Sequence, residues 1–301
     1  MTITRRDILK LGAGAAASTF AGGTQSAVAL TMRPIPSSGE RLPVVGIGTN
    51  RYGTGSETEI APLRETLKTF AAAGGKLIDT APMYGSSEVV LGELIAGLGI
   101  RQQLFLATKV YADGREAGLE EMNASFSRLR TNRIDLIQVH NLSDTATQLA
   151  TMREGKSAGR YRYVGVTTSR DSQYDEMETV LKNEKLDFVQ VDYSIENRTA
   201  AERILPLALE RGVAVLINLP FGRARLFSAV RGKPLPPWAA EFDCGSWAQF
   251  FLKYVIGHPA STCAIPGTRK PAHVADNLGA ARGRLPDQAM RRKMEQFFDA
   301  L

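Results

Sequence analysis

Cysteine and histidine are scarce in this chain, with two of the former and three of the latter. Cys244 falls in a loop-like stretch and Cys263 inside the apolar run Thr262-Cys263-Ala264-Ile265, so two independent buried thiols are expected instead of a disulfide framework. His258 and His273 are remote from His140 in the order of apolar runs, which argues against the clustered ligands of a metal-dependent hydrolase, and no metal is expected. No run of five or six like charges occurs and no basic stripe alternates with aromatics, so a formal charge of +6 does not point to nucleic acid. A mild positive balance does suit a phosphate-bearing ligand. An apolar stretch of the ~20 residues that a membrane span requires is also missing, so no stable membrane insertion is expected. Nothing in the pattern speaks to oligomeric state.

The N-terminus is a separate matter. Thr4-Arg5-Arg6-Asp7-Ile8-Leu9-Lys10 precedes a Gly/Ala-rich apolar stretch from Leu11 to Gly23, followed by Ala27-Val28-Ala29. This resembles a twin-arginine export signal, with a charged region, a weakly apolar region and an Ala-x-Ala cleavage site. The expectation is a signal peptide over residues 1–29, a barrel domain over 30–301, passage through the twin-arginine translocase and a periplasmic location. Removing Arg5, Arg6, Lys10 and Asp7 with the leader lowers the formal charge from +6 to +4. Gly12-Ala13-Gly14-Ala15-Ala16-Ala17 matches a dinucleotide fingerprint, but no strand precedes it. An uncleaved anchor is the competing reading, and the stretch is short for it.

Beyond residue 43 the chain alternates between short Val/Ile/Leu runs and amphipathic stretches. Eight runs read as strands: Val44 to Gly48, Lys76 to Thr80, Leu104 to Lys109, Ile134 to His140, Tyr163 to Thr167, Phe188 to Tyr193, Val213 to Leu219 and Thr262 to Pro266. Several are apolar on both faces, as buried parallel strands are. Helical periodicity marks Glu57 to Ala73, Glu88 to Leu98, Leu119 to Leu129, Gln173 to Asn183 and Ala200 to Glu210. Eightfold alternation over about 250 residues is what an α/β fold of the (β/α)8 TIM-barrel kind needs. A doubly wound sheet is disfavoured because Gly46-Ile47-Gly48-Thr49-Asn50 lacks the phosphate-binding glycine pattern. Thr31 to Pro43 is expected to cap the barrel bottom. Arg223 to Gly245, after the seventh run, is a long loop at the rim where chemistry is kept.

Asp79, Tyr84, Lys109 and His140 sit at or just past the ends of three successive runs. A carbonyl reduced by hydride transfer needs a proton for its developing alkoxide. A phenol supplies it when a neighbouring ammonium stabilises the phenolate, and a carboxylate keeps that ammonium charged and in place. Tyr84, Lys109 and Asp79 are those residue types, and His140 can hydrogen-bond and orient the carbonyl. Alternatively, Lys109 forms a Schiff base as an aldolase nucleophile, or the barrel binds its nucleotide without useful turnover.

The motif Asp79-Thr80-Ala81-Pro82-Met83-Tyr84-Gly85, the pair Thr108-Lys109 and the strand-four His140 are similar to those of the aldo-keto reductase superfamily, and the similarity covers about residues 33 to 299. The resemblance implies a (β/α)8 barrel that binds NADP(H) across its C-terminal rim and reduces an aldehyde or ketone. It implies Tyr84 as general acid, Lys109 and Asp79 as its tuning pair, and His140 as the orienting group. It also implies cofactor contacts from Thr49, Asn50, Asp79, Thr167, Gln190, Asn218, Pro220, Gly222, Thr268, Arg269 and Asn277, with a small-molecule carbonyl compound as partner. The chain departs from the family pattern in several places: Thr167-Thr168 replaces the usual Ser-Asn, Asn218 stands where a stacking tyrosine is common, and Gly267 and His273 replace two cations. Arg269 and Lys270 are expected to supply that charge to the 2′-phosphate.

Overall fold

The computed structural model describes residues 28–53 and 55–301. The twin-arginine reading, apart from Val28 and Ala29, lies outside the described residues. A hairpin comes first, β1 (Met32–Pro34) paired antiparallel with β2 (Arg41–Pro43). Eight parallel strands follow, β3 (Ile47–Gly48), β4 (Leu77–Asp79), β5 (Phe105–Val110), β6 (Ile134–His140), β7 (Tyr161–Thr167), β8 (Phe188–Asp192), β9 (Ala214–Asn218) and β10 (Ser261–Ala264), each beside its neighbour in sequence. The bridges Val45 to Ala264 and Gly48 to Gly267 join the last strand to the first, so the sheet closes on itself and has no free edge. This is the TIM barrel the alternation predicts.

Strand parity places two apolar layers inside and a polar layer above them. Leu77, Phe105, Ala107, Leu136, Phe188 and Leu216 belong to one buried cluster filling the barrel. Two residues further along the same faces, or four, come Asp79, Lys109, His140, Gln190 and Asn218. The lower end is sealed by the hairpin, as expected: Ile35 and Leu42 join the interior cluster, and Tyr163 Oη lies 2.7 Å from both Ser38 Oγ and Glu40 Oε2. The functional end is therefore the one where the strands terminate in polar side chains.

Three features differ from the sequence pattern. The helix expected over Ala200 to Glu210 is two helices, Thr199–Glu202 and Ile204–Glu210, because restarting at Ile204 puts Pro206 in a first turn, where its missing N–H costs nothing. Trp247–Ile256, which the sequence pattern does not single out, is helical, and Phe250 to Ile256 are all buried. The stretch Arg223 to Gly245 is folded, with a helix at Arg225–Ala229 and a turn of 3-10 helix at Pro237–Phe242. Trp238 packs there on Phe242, Phe250 and Phe297 in the outer wall, not over the site. Among the described residues no helix is long and apolar enough to cross a membrane.

Candidate active site

Asp79 ends β4 and Lys109 lies one residue before the end of β5, so their side chains point into the same polar layer. Lys109 Nζ donates to Asp79 Oδ2 at 2.7 Å and to Thr80 O at 2.8 Å, and Lys109 is 1% exposed. Burial by itself lowers the Lys109 pKa, but the Asp79 charge, and then Tyr84, outweigh it and hold the group above its ordinary value. Lys109 is therefore an ammonium without a free lone pair, which opposes the Schiff-base alternative. Gln138 Nε2 reaches the other carboxylate oxygen, Asp79 Oδ1, at 3.4 Å. Thr108, on the opposite face of β5, donates to buried Glu88 at 2.6 Å and ties the strand end to the helix Ser87–Leu98.

Tyr84 sits in the turn between β4 and that helix. Its backbone is fixed by Tyr84 N donating to Ala81 O at 3.1 Å, and Gly53 lets a second loop pack on it, since a Cβ at Gly53 would lie 2.7 Å from Tyr84 O. Lys109 Nζ lies 5.1 Å from the Tyr84 ring centroid, and Tyr84 meets the His140 ring edge-on at 6.0 Å. Tyr111 also meets the His140 ring edge to face, at 5.9 Å. Burial first, then the charges of Lys109 and Arg170, lower the His140 pKa to about 3. The imidazole is neutral at any working pH, and its buried Nδ1 has no hydrogen-bond partner.

These four residues open into a cavity of about 990 Å³ that runs along the rim to the segment after β10. Thr49, Asn50, Thr167, Gln190, Asn218, Pro220, Thr268, Arg269 and Asn277 all line it. Gly222 does not line it; it is buried in a turn at φ +53°, where a Cβ would meet Glu196 Oε2 at 2.7 Å. Thr168 turns away, donating to Gln173 Oε1 at 2.5 Å, while Asn218 Nδ2 donates to Thr168 O at 3.1 Å. Gln190 Oε1 and Asn218 Oδ1 are left buried and unpartnered. Of the long segment after β9, only its first part, Arg223, Ala224 and Phe227, reaches the cavity. Sequence reasoning missed Arg51, Asn141, Arg170 and Arg223; their only signal is a position in loops that follow strand ends. Cys244 and Cys263 are buried free thiols, and among the described residues no group of His, Cys, Asp or Glu is placed to hold a metal ion.

Residues 44–295 match the aldo/keto reductase family. The chain belongs to that family. Methylglyoxal reductase YeaE of Escherichia coli K12 is 32% identical over 247 residues, spanning 78% of this chain and 84% of that protein. An NADH-specific methylglyoxal reductase of the same organism is 27% identical, across 84% of this chain and 94% of its own length. Among solved structures, an aldo-keto reductase from Klebsiella pneumoniae in complex with NADPH superposes with a TM-score of 0.75 at 23% identity, covering 90% of this chain and 95% of that one. The aldo/keto reductase barrel thus accounts for the chain from its first barrel strand through most of its last helix, Gln288–Asp299.

Proposed function

We propose that this aldo/keto reductase reduces an aldehyde or ketone to an alcohol, using NADP(H) bound along the rim cavity. The observation that carries the reading is the buried Lys109–Asp79 pair beneath Tyr84, beside a neutral His140. Residues present fit the cofactor. The unpartnered Gln190 Oε1 and Asn218 Oδ1 are acceptors suited to a primary carboxamide, and Thr268, Arg269 and Lys270 precede the ten-residue helix Pro271–Ala280, whose N-terminus suits a phosphate. When bound, the nicotinamide supplies the hydride. Tyr84 gives its phenolic proton to the alkoxide that develops on the substrate. Lys109 stabilises the phenolate left behind, and Asp79 keeps that ammonium in place. His140, neutral, donates a hydrogen bond to the carbonyl oxygen and orients it without competing for the proton.

Cofactor choice turns on the segment after β10. Arg269 Nη2 lies 3.6 Å from Glu59 Oε1, a loose pair a phosphate can displace, and Lys270 is exposed. Changing both to Ala should weaken NADPH binding roughly tenfold to a hundredfold for each lost contact and NADH far less, measured by quenching of protein fluorescence. Equal losses for the two coenzymes would place the 2′-phosphate elsewhere.

Export by the twin-arginine route to the periplasm, with residues 1–29 removed, is the accompanying proposal, supported by Arg5-Arg6 and Ala27-Val28-Ala29. Cleavage there removes the bond that Arg282 donates to Val28 O but spares the first backbone-to-backbone hydrogen bond to the barrel, Thr31 N to Ala281 O at 2.7 Å. A tagged full-length chain expressed in a host with that pathway should be recovered from the periplasm, shortened, and should consume NADPH with methylglyoxal or a simple aldehyde. Retention of the full-length chain in the cytosol would overturn export alone. Correctly exported protein that consumes no NADPH with any carbonyl compound would overturn the reductase reading.

A further inference from the structure

Beside His140, on the side away from Lys109, the rim carries a corner of hydrogen-bond donors that the proton-transfer machinery does not use. Asn141 follows β6, Ser169 and Arg170 follow β7, and all three line the cavity. Among the described residues no side-chain hydrogen bond or ion pair occupies any of the three, and Arg170 is exposed. The only carboxylates lining the cavity are committed elsewhere: Asp79 to Lys109, and Asp276 to Ser246 at 2.8 Å and Gln249 at 2.8 Å. Among the described residues no carboxylate that lines the cavity is paired with this guanidinium.

The corner is built, not loose. Gln173 Nε2 donates to Asn141 O at 2.8 Å, Thr168 Oγ1 donates to Gln173 Oε1 at 2.5 Å, and Arg170 N donates to Thr168 Oγ1 at 3.1 Å. One chain of hydrogen bonds therefore locks the β6 and β7 loops together and sets where the guanidinium starts. His140 and Thr167 are paired in register, so Arg170, three residues further on, is within reach of the space over His140. The cofactor's 2′-phosphate does not claim it, because Thr268 to Lys270 follow β10, three strand spacings away, or roughly 14 Å.

Resting on the reductase reading above, we infer that Asn141, Ser169 and Arg170 hold the carboxylate of the substrate, which is a short oxo acid. A planar guanidinium fork matches a carboxylate in two parallel hydrogen bonds. The carbonyl sits between Tyr84 and His140, and the corner lies about one strand spacing beyond, ~4.8 Å, which fits a carboxylate about two methylenes from the reacting carbon.

The test compares succinic semialdehyde with butanal, its uncharged counterpart of equal chain length, under saturating NADPH. The wild-type enzyme should favour the acid by tenfold or more in kcat/KM, and Arg170→Met should lower that ratio by roughly tenfold to a hundredfold, with Arg170→Lys between the two. Butyrate, which cannot react, should inhibit butanal reduction by the wild type and lose that effect in Arg170→Met. No preference for the acid in the wild type, or an equal fall for both substrates in the variant, would overturn the carboxylate corner while leaving the reductase intact. No NADPH consumption with either substrate would overturn this inference, and the reductase reading falls as well only if methylglyoxal and other carbonyl compounds also fail.

Discussion

Tyr84→Phe should lose about 10²- to 10⁴-fold in kcat for carbonyl reduction while binding NADPH as the wild type does. The substitution removes one oxygen. The ring that meets His140 edge-on at 6.0 Å and lies 5.1 Å from Lys109 Nζ is retained, so the wall of the cavity keeps its shape. No other group near the reacting carbon is fitted to replace the proton. His140, with a pKa lowered to about 3 by burial and by the charges of Lys109 and Arg170, carries no spare proton at neutral pH. Lys109 is committed to Asp79 and Thr80. Pre-steady-state mixing with NADPH in place separates the steps: loss confined to the chemical step fits a missing acid. A variant that keeps more than half of the wild-type kcat would remove Tyr84 from that role.

The barrel was legible because buried parallel strands read as apolar runs, and their ends announce themselves where the inward position turns polar. On β5 the inward series is Phe105, Ala107, Lys109, and on β6 it is Leu136, Gln138, His140; both show the change within one strand. Tyr84 was legible from its spacing to Asp79 alone. What the sequence hid depends on contacts between distant segments. The donor corner at Arg170 exists because Gln173 bonds to Asn141 across 32 positions, a pairing no local pattern carries. Gly222 looks like a cofactor contact in sequence, yet its positive φ and the crowding by Glu196 make it a turn residue that shapes the loop from behind. Asn218, which sits in register with Asp192 on the adjoining strand, donates its amide nitrogen to Thr168 O and keeps a buried Oδ1 without a partner. Trp238, an obvious aromatic for a rim, belongs instead to the outer aromatic wall with Phe250 and Phe297.

Lys109→Met should damage both catalysis and folding, and the two losses should separate. Removing a buried ammonium leaves Asp79, 2% exposed, as an uncompensated charge, at a cost of about 3–5 kcal/mol. The carboxyl then escapes by binding a proton: burial raises its pKa, and the Lys109 charge that opposes the rise in the wild type is gone. Because the folded variant holds that proton more tightly than the unfolded chain, its deficit relative to wild type should be small below pH ~4, the ordinary aspartate value, and grow as pH rises through the raised folded value. Urea unfolding at several pH values measures this directly. Adding Asp79→Asn to Lys109→Met removes the buried charge and should restore much of the stability at neutral pH. It should not restore turnover, which falls by about 10²- to 10³-fold when the phenolate loses its stabilising charge. A double variant that recovers activity along with stability would mean that the pair acts only as scaffold. A single variant as stable as wild type at neutral pH would mean that Asp79 is already neutral in the native barrel, and that Lys109 carries no partner charge to hold it.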